Sequence, residues 1–204
     1  MSIPNSLTLF RILLTPVFVI LLFAEAPFLK QIALLVYIVA ALTDWYDGWV
    51  ARKYGYVTRW GKFFDPLADK ILAAAALFSF VALHLVDAWL IWVIVGRDIV
   101  ITGLRSYAEW KERPIITSRS AQAKTFGEYV VIYYVLVLYV GSHVPVLRSE
   151  FDSTFATLMH PQVLFGMMLL VALSTVGTGI MYLIDNRKFV FELYGKLFGS
   201  VDPL

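Results

Sequence analysis

Six long apolar stretches run along this 204-residue chain and constrain its fold more than any other feature. They lie at about residues 9–24, 31–50, 63–85, 88–110, 123–140 and 162–184. A helix needs about 20 mostly apolar residues to cross a bilayer. Hydrophobic residues make up 60% of the chain and charged residues 16%, against roughly 45–50% and 25% in soluble domains. The sequence therefore predicts an all-α integral membrane protein, a single domain over residues 1–204 with six transmembrane helices.

Short segments at the two ends of the chain complete this predicted architecture. The residues before Leu9 and the stretch from Phe189 to Phe198 are too short to cross a bilayer. The C-terminal stretch mixes aromatic residues with Glu192 and Lys196, a pattern typical of a helix at the membrane surface. We therefore expect a short interfacial segment at the N-terminus and another at the C-terminus.

The basic residues are sorted to one side of the predicted bundle. If the N-terminus is cytoplasmic, fifteen of the seventeen Lys and Arg lie in cytoplasmic segments or the inner halves of helices, and Lys30 and Arg148 lie on the opposite side. Cytoplasmic segments of membrane proteins carry such an excess. The pattern predicts a multi-pass protein of the inner, cytoplasmic membrane with both termini in the cytoplasm. A net charge of +2 is too small to indicate nucleic-acid binding, so no nucleic-acid partner is expected.

Four aspartates are concentrated at the cytoplasmic ends of the second and third stretches. Asp44 and Asp47 are three residues apart, and Asp65 and Asp69 are four apart, so each pair shares one face of its helix. The chain has no cysteine and only three histidines, which leaves carboxylates as the ligands for any metal. Such a cluster suits one divalent cation or a pair, which would offset the repulsion and coordinate phosphate oxygens. The alternative is that the aspartates pair with neighbouring basic residues at the membrane surface.

Small residues and one arginine accompany these aspartates. Gly48, Ala51 and Gly61 leave backbone exposed where a bulky ligand can approach. Arg52 can form a bidentate contact with a phosphate group. The region therefore favours a site for a metal-bound phosphate group at the cytoplasmic boundary of the membrane.

The spacing of these residues resembles the signature of the CDP-alcohol phosphotransferase family. Eight residues match that signature at fixed spacing and without a departure: Asp44, Asp47, Gly48, Ala51, Arg52, Gly61, Asp65 and Asp69. The resemblance implies six transmembrane helices and a homodimer. It also implies a metal site of two divalent ions, Mg²⁺ or Mn²⁺, held by Asp44, Asp47 and Asp65. Asp69 would lie near the metals, as part of the same metal site, and act as the catalytic base.

The same resemblance implies ligand-binding roles for the residues around the aspartates. Gly48 and Arg52 would hold the CDP moiety, beside Ala51 and Gly61. Thr58, in the variable loop between the two aspartate pairs, would assist them.

Three stretches outside the signature resemble the branch of the family that forms phosphatidylglycerophosphate. They are Ile3 to Arg11, Gly96 to Arg105 and Ala123 to Thr125. In the second stretch Asp98 replaces the usual Glu, which keeps the charge and shortens its reach. In the third, Ala121 and Gln122 stand where a Gly-Lys pair is common.

These stretches supply the expected acceptor pocket. The resemblance implies that Asn5 and Thr8 belong to the ligand site. A phosphorylated acceptor carries a dianion that needs cations, and Arg105 and Lys124, with Arg97 or Arg119 as reinforcement, would supply them on the cytoplasmic side. The alternative for Arg105 and Lys124 is membrane topology alone, and for Arg97 an internal ion pair with Asp98.

The resemblance implies an enzyme of phospholipid biosynthesis that transfers the phosphatidyl group of CDP-diacylglycerol to glycerol 3-phosphate and releases CMP among membrane lipids. Inositol phosphate, phosphatidylglycerol and serine stay open as acceptors, of which serine would not require the cationic pocket. An ion-coupled transporter is the competing class, since intramembrane acids also mark ion pathways. Transporter acids usually lie near the midplane and in paired repeats, whereas these four lie at one boundary and the motif occurs once.

Overall fold

A computed structural model describes residues 3–54, 59–111 and 119–198 of the chain. Every regular element in these ranges is an α-helix, and no strand occurs among them. The helices are α1 (Ile3–Leu22), α2 (Pro27–Tyr54), α3 (Arg59–Ala82), α4 (Ala88–Trp110), α5 (Arg119–Ser142), α6 (Pro145–Leu158), α7 (Pro161–Asp185) and α8 (Arg187–Phe198). The predicted all-α fold is confirmed.

The six apolar stretches correspond to α1 to α5 and α7, and α4 has the predicted bounds. Helix α1 begins at Ile3, so the N-terminal segment expected at the membrane surface is continuous with the first apolar stretch. The C-terminal segment is helical as α8. Helix α6 lies between the fifth and sixth apolar stretches, where the sequence predicts no helix, and none of its residues is buried.

Two helices in the described ranges are long and apolar enough to cross a membrane, Gln122–Ser142 and Pro161–Asp185. Two further apolar segments, Thr8–Leu22 and Pro27–Thr43, are shorter. Many large apolar side chains also face outward, among them Ile20 at 70% exposure, Trp92 at 65% and Leu170 at 67%. Exposed apolar side chains in such number are typical of a membrane or protein interface. The apolar helices therefore indicate a membrane protein, and the count of six spans stays a prediction.

The helices pack around one shared core. Helix α1 packs against α2 and α3, α3 against α4, and α4 against α7, while α5 contacts α2, α3, α6 and α7. Phe18, Tyr37 and Phe80 are fully buried at the centre of this packing. The ring of Tyr37 lies 5.1 Å from that of Phe18 and 5.4 Å from that of Tyr133, which links α1, α2 and α5.

A tight turn makes α3 and α4 antiparallel. His84 adopts a positive φ of 57°, and the Leu85 amide donates to the Phe80 carbonyl at 2.9 Å. This is the geometry of a left-handed helix C-cap. Lys70 and Asp98 are each fourteen residues from His84 along the chain. Because a helix rises about 1.5 Å per residue, the turn sets these two charged residues at the same depth on facing helices.

Lys30 links three helices at the end of the bundle where α1 ends and α2 begins. Its side chain is buried, and its Nζ donates to the Leu22 carbonyl at the end of α1 at 3.1 Å. The same ammonium lies 5.5 Å from the centre of the Tyr139 ring on α5. One cation thus satisfies a helix-terminal carbonyl and connects three helices.

We expect Lys30→Met to lower the free energy of unfolding by about 1–3 kcal/mol, because the Leu22 carbonyl loses its buried donor. Arg148→Met is the matched control. The Arg148 side chain is 69% exposed and lies 3.8 Å from Asp152, so its loss should cost about 0.5 kcal/mol or less. Thermal unfolding of the detergent-solubilised proteins measures both. Equal shifts for the two variants would contradict the assignment.

Candidate active site

The helix bounds place the four signature aspartates on two neighbouring elements of the chain. Asp44 and Asp47 lie near the C-terminal end of α2, and Asp65 and Asp69 lie in the N-terminal half of α3. Asp69 is the member of this set whose side chain the structure describes. Within the described residues no group of three or more metal-ligating side chains is assembled, but three of the four predicted metal ligands are outside that set.

Several predicted ligand-binding residues also lie outside the described side chains. Thr58 falls in the undescribed range 55–58. The others lie on described helices with undescribed side-chain surroundings: Asn5, Gly48, Ala51, Arg52, Gly61 and Arg119. Their predicted roles stay predictions.

Asp69 is partly buried and is held by a residue from another helix. The hydroxyl of Tyr129 on α5 donates a hydrogen bond to Asp69 Oδ1 on α3. Asp69 is one helical turn beyond Asp65, so this contact ties the aspartate region to α5. No local sequence pattern distinguishes Tyr129 from the other ten tyrosines of the chain.

Next to this contact lies a group of five charged side chains that we call the ion cluster: Lys70, Arg97, Asp98, Lys124 and Glu128. Asp98 is at its centre and accepts from Lys70 Nζ at 2.7 Å, Lys124 Nζ at 2.7 Å and Arg97 Nη1 at 3.0 Å. Glu128 lies 2.7 Å from Lys124 Nζ and 3.7 Å from Lys70 Nζ. The cluster joins α3, α4 and α5.

The ion cluster is buried but nearly balanced in charge. Asp98 is 3% exposed, Glu128 2% and Lys124 5%. An isolated ion costs several kcal/mol to bury, and hydrogen-bonded partners offset that cost. Three cations face two carboxylates, which leaves one formal positive charge in a water-poor region close to Asp69.

Arg97 extends the ion cluster to a fourth helix. Its Nη2 donates to Thr178 Oγ1 on α7 at 3.0 Å, and the Thr178 hydroxyl donates to the Ser174 carbonyl at 2.8 Å. The Arg97 side chain passes over Gly179, where an added Cβ would lie 3.2 Å from both its Cγ and its Nε. Because Gly179 has no side chain, the Arg97 side chain has room to reach Thr178.

The structure brings together some of the predicted acceptor residues. Arg97 and Lys124 meet around Asp98, so the internal pair of Arg97 with Asp98 is present. Arg105 is exposed and lies two helical turns beyond Asp98 on α4, and Thr8 is buried on α1. Asp98, which stands where the resembling branch usually has Glu, is the central acceptor of the ion cluster.

Glu128 is a functional candidate that sequence reasoning missed. A signal was available, because Lys124 and Glu128 are four residues apart on a helix that has no further charged residue after Glu128. Lys70 was visible only as a possible surface partner of the aspartates. Its actual partners come from α4 and α5, and the local sequence contains no sign of them.

Comparison with known proteins identifies relatives of this chain. The family model for CDP-alcohol phosphatidyltransferase matches residues 1–184. The enzyme named CDP-diacylglycerol--glycerol-3-phosphate 3-phosphatidyltransferase from Bacillus subtilis (strain 168) is 34% identical over 148 residues, covering 67% of this chain and 77% of the relative. Proteins of the same name from Rickettsia typhi and Salmonella typhimurium are 33% identical over 141 residues and 34% over 143. These cover 69% and 66% of this chain, and 78% and 76% of the relatives.

We expect Gly179→Ala to shift Arg97 by a few tenths of an ångström and to have a free energy of unfolding about 1–3 kcal/mol below that of Gly177→Ala, because the cost of overpacking opposes the gain in helix propensity that both variants share. Gly177→Ala is the matched control on the same helix, because its added Cβ would meet nothing within 4 Å. That variant should be neutral or stabilised by up to about 1 kcal/mol. Thermal unfolding compares the two, and equal stability of the two variants would contradict the close approach of Arg97.

Proposed function

Because the chain belongs to the CDP-alcohol phosphatidyltransferase family, we propose that it transfers the phosphatidyl group of CDP-diacylglycerol to glycerol 3-phosphate, giving phosphatidylglycerophosphate and CMP. The observation that carries this proposal is the family match over residues 1–184, which includes all eight signature residues. The name shared by the Bacillus, Rickettsia and Salmonella relatives supports glycerol 3-phosphate as the acceptor. The chain is thus a phosphatidyltransferase, and its acceptor is the proposed part.

The donor set on α2 and α3 fits two divalent metal ions, Mg²⁺ or Mn²⁺. Asp44, Asp47, Asp65 and Asp69 offer carboxylate oxygens at helical spacing, and hard cations prefer oxygen ligands. Asp69 keeps one carboxylate oxygen outside its contact with Tyr129, since that hydroxyl binds Oδ1. When bound, such ions neutralise the negative charge of a diphosphate.

Residues of the signature region would hold the nucleotide part of the lipid. We assign Gly48 and Arg52 to the CDP moiety, with Ala51 and Gly61 allowing close approach and Thr58 assisting. An arginine suits this role because its planar guanidinium matches two phosphate oxygens at once.

Asp69 is the proposed base. It would accept the proton of the acceptor hydroxyl while that oxygen forms a bond to the phosphorus attached to diacylglycerol. The bond from this phosphorus to the bridging oxygen of the diphosphate breaks, and CMP leaves with that oxygen. Positioning and charge neutralisation supply most of the rate in phosphoryl transfer, so the orientation of Asp69 matters as much as its basicity.

The acceptor phosphate is assigned to cations from α4 and α5. Arg105 is exposed, and Arg97 and Lys124 belong to the ion cluster with its one excess positive charge. Asn5 and Thr8 on α1 are the further ligand-site residues of the proposal. A phosphorylated acceptor carries a dianion that such cations can bind, whereas serine would not require them.

The surrounding architecture is proposed on the same basis. We propose a homodimer of single-domain chains with six spans each, as the family resemblance implies. The one-sided distribution of basic residues supports an inner-membrane location with the active site facing the cytoplasm. The two long apolar helices α5 and α7 support the membrane location.

An acceptor panel tests the proposed reaction. Purified protein receives CDP-diacylglycerol and, in turn, glycerol 3-phosphate, inositol phosphate, serine or phosphatidylglycerol, and CMP release is measured. We expect turnover with glycerol 3-phosphate to exceed that with every other acceptor by at least about tenfold, the discrimination expected from one lost charged contact. EDTA should abolish the reaction, and added Mg²⁺ or Mn²⁺ should restore it. Faster release with another acceptor, or release that survives EDTA, would contradict the proposal.

A further inference from the structure

The contact between Tyr129 and Asp69 suggests a role for a residue outside the family signature. Resting on the proposed function, we propose that Tyr129 is a positioning residue, whose hydroxyl holds the Asp69 carboxylate in the orientation that proton transfer from the acceptor requires. The hydroxyl on α5 donates to Asp69 Oδ1 on α3. Among the side chains that the structure describes, Tyr129 is the hydrogen-bond partner of Asp69.

Two adjacent contacts fix how α5 faces α3. Asp69 and Lys70 are consecutive on α3, and Glu128 and Tyr129 are consecutive on α5. Tyr129 binds Asp69, and Glu128 lies 3.7 Å from Lys70. Consecutive residues on a helix point about 100° apart, so two such contacts define the rotation of one helix against the other as well as their separation. The two contacts therefore fix the position of Asp69 relative to α5.

The chemistry of a phenol suits this task. A tyrosine hydroxyl orients a carboxylate by hydrogen bonding without adding a positive charge. An ammonium or guanidinium in the same place would form an ion pair and compete with a cation or a proton for the carboxylate. The neighbouring cations of the ion cluster instead bind Asp98 and Glu128. Among the described side chains, Tyr129 holds Oδ1 of Asp69 and no hydrogen bond engages Oδ2, the oxygen that we assign to the reaction.

Tyr129→Phe tests the proposal, because it removes the hydroxyl and keeps the ring. We expect kcat to fall about 10- to 100-fold, as for other groups that orient an active-site ligand, while KM for CDP-diacylglycerol and for glycerol 3-phosphate changes less than about threefold. The matched control is Tyr134→Phe on the same helix, whose lost hydroxyl donates to the Leu158 carbonyl at 2.9 Å. It should keep wild-type kcat.

A second measurement needs no metal, lipid or turnover. Thermal midpoints of Tyr129→Phe, Asp69→Ala and the double variant form a double-mutant cycle in metal-free protein. We expect the shift caused by Tyr129→Phe to shrink when Asp69 is already alanine. Additive shifts would overturn the contact on which the proposal rests.

The outcomes separate this proposal from the proposed function. Wild-type kcat in Tyr129→Phe, or an equal loss in Tyr134→Phe, overturns the positioning role. Asp69→Asn should abolish CMP release and retain binding of CDP-diacylglycerol. Full activity of the Asp69→Asn protein would overturn both the assignment of Asp69 as the base and the positioning role of Tyr129. A wild-type protein that releases no CMP from CDP-diacylglycerol overturns the proposed function, and the metal-free cycle then decides on the contact alone.

Discussion

Buried charge is the constraint on which the rest of this structure depends. Asp98 and Glu128 are almost completely enclosed, and each ion removed from water costs several kcal/mol unless partners compensate it. Lys70, Arg97 and Lys124 supply those partners from three different helices. These charges can therefore be buried only when α3, α4 and α5 are held in fixed relative positions. The hydrogen bond from Arg97 to Thr178 extends this arrangement to α7.

The same arrangement positions the candidate active site. Lys70 belongs to the ion cluster, and its neighbour Asp69 receives the hydroxyl of Tyr129. Two adjacent residues of α3 thus have different roles. Lys70 pairs with the carboxylates of the ion cluster, and Asp69 is the candidate base. A buried ion network contributes little net stability compared with apolar packing of equal volume. We therefore interpret the ion cluster as the group of residues that fixes the position of Asp69 and provides the charge around a bound phosphate.

Much of the fold could be predicted from the sequence, because long apolar stretches specify helices in an apolar solvent. The bounds of α4 agree with the prediction, three other stretches lie within α2, α5 and α7, and the first and third extend two and three residues beyond the ends of α1 and α3. Helix α6 was missed because Arg148, Glu150 and Asp152 interrupt its apolar pattern and its 14 residues are too few to span a bilayer. At the site, the spacing of the aspartates identified a carboxylate region on α2 and α3. The pair of Asp98 with the adjacent Arg97 was open to prediction. The contacts of Asp69 with Tyr129 and of Asp98 with Lys70 and Lys124 were not, since these partners lie on other helices and depend on how the helices rotate against one another.

The most direct test of this account replaces part of the ion cluster by apolar residues of similar volume, Lys124→Met together with Glu128→Met. Thermal unfolding and CMP release from CDP-diacylglycerol with glycerol 3-phosphate are measured on the same purified protein. If the buried charges serve the geometry of the site, the thermal midpoint stays at or above the wild-type value, because apolar replacements of buried ion pairs are often neutral or stabilising. At saturating glycerol 3-phosphate, CMP release then falls at least about tenfold, the lower end of the loss expected when groups that orient an active site are removed. Loss of Lys124 as a cation for the acceptor phosphate alone would instead raise KM for glycerol 3-phosphate and leave this saturated rate unchanged. A folded double variant with wild-type CMP release would contradict the account.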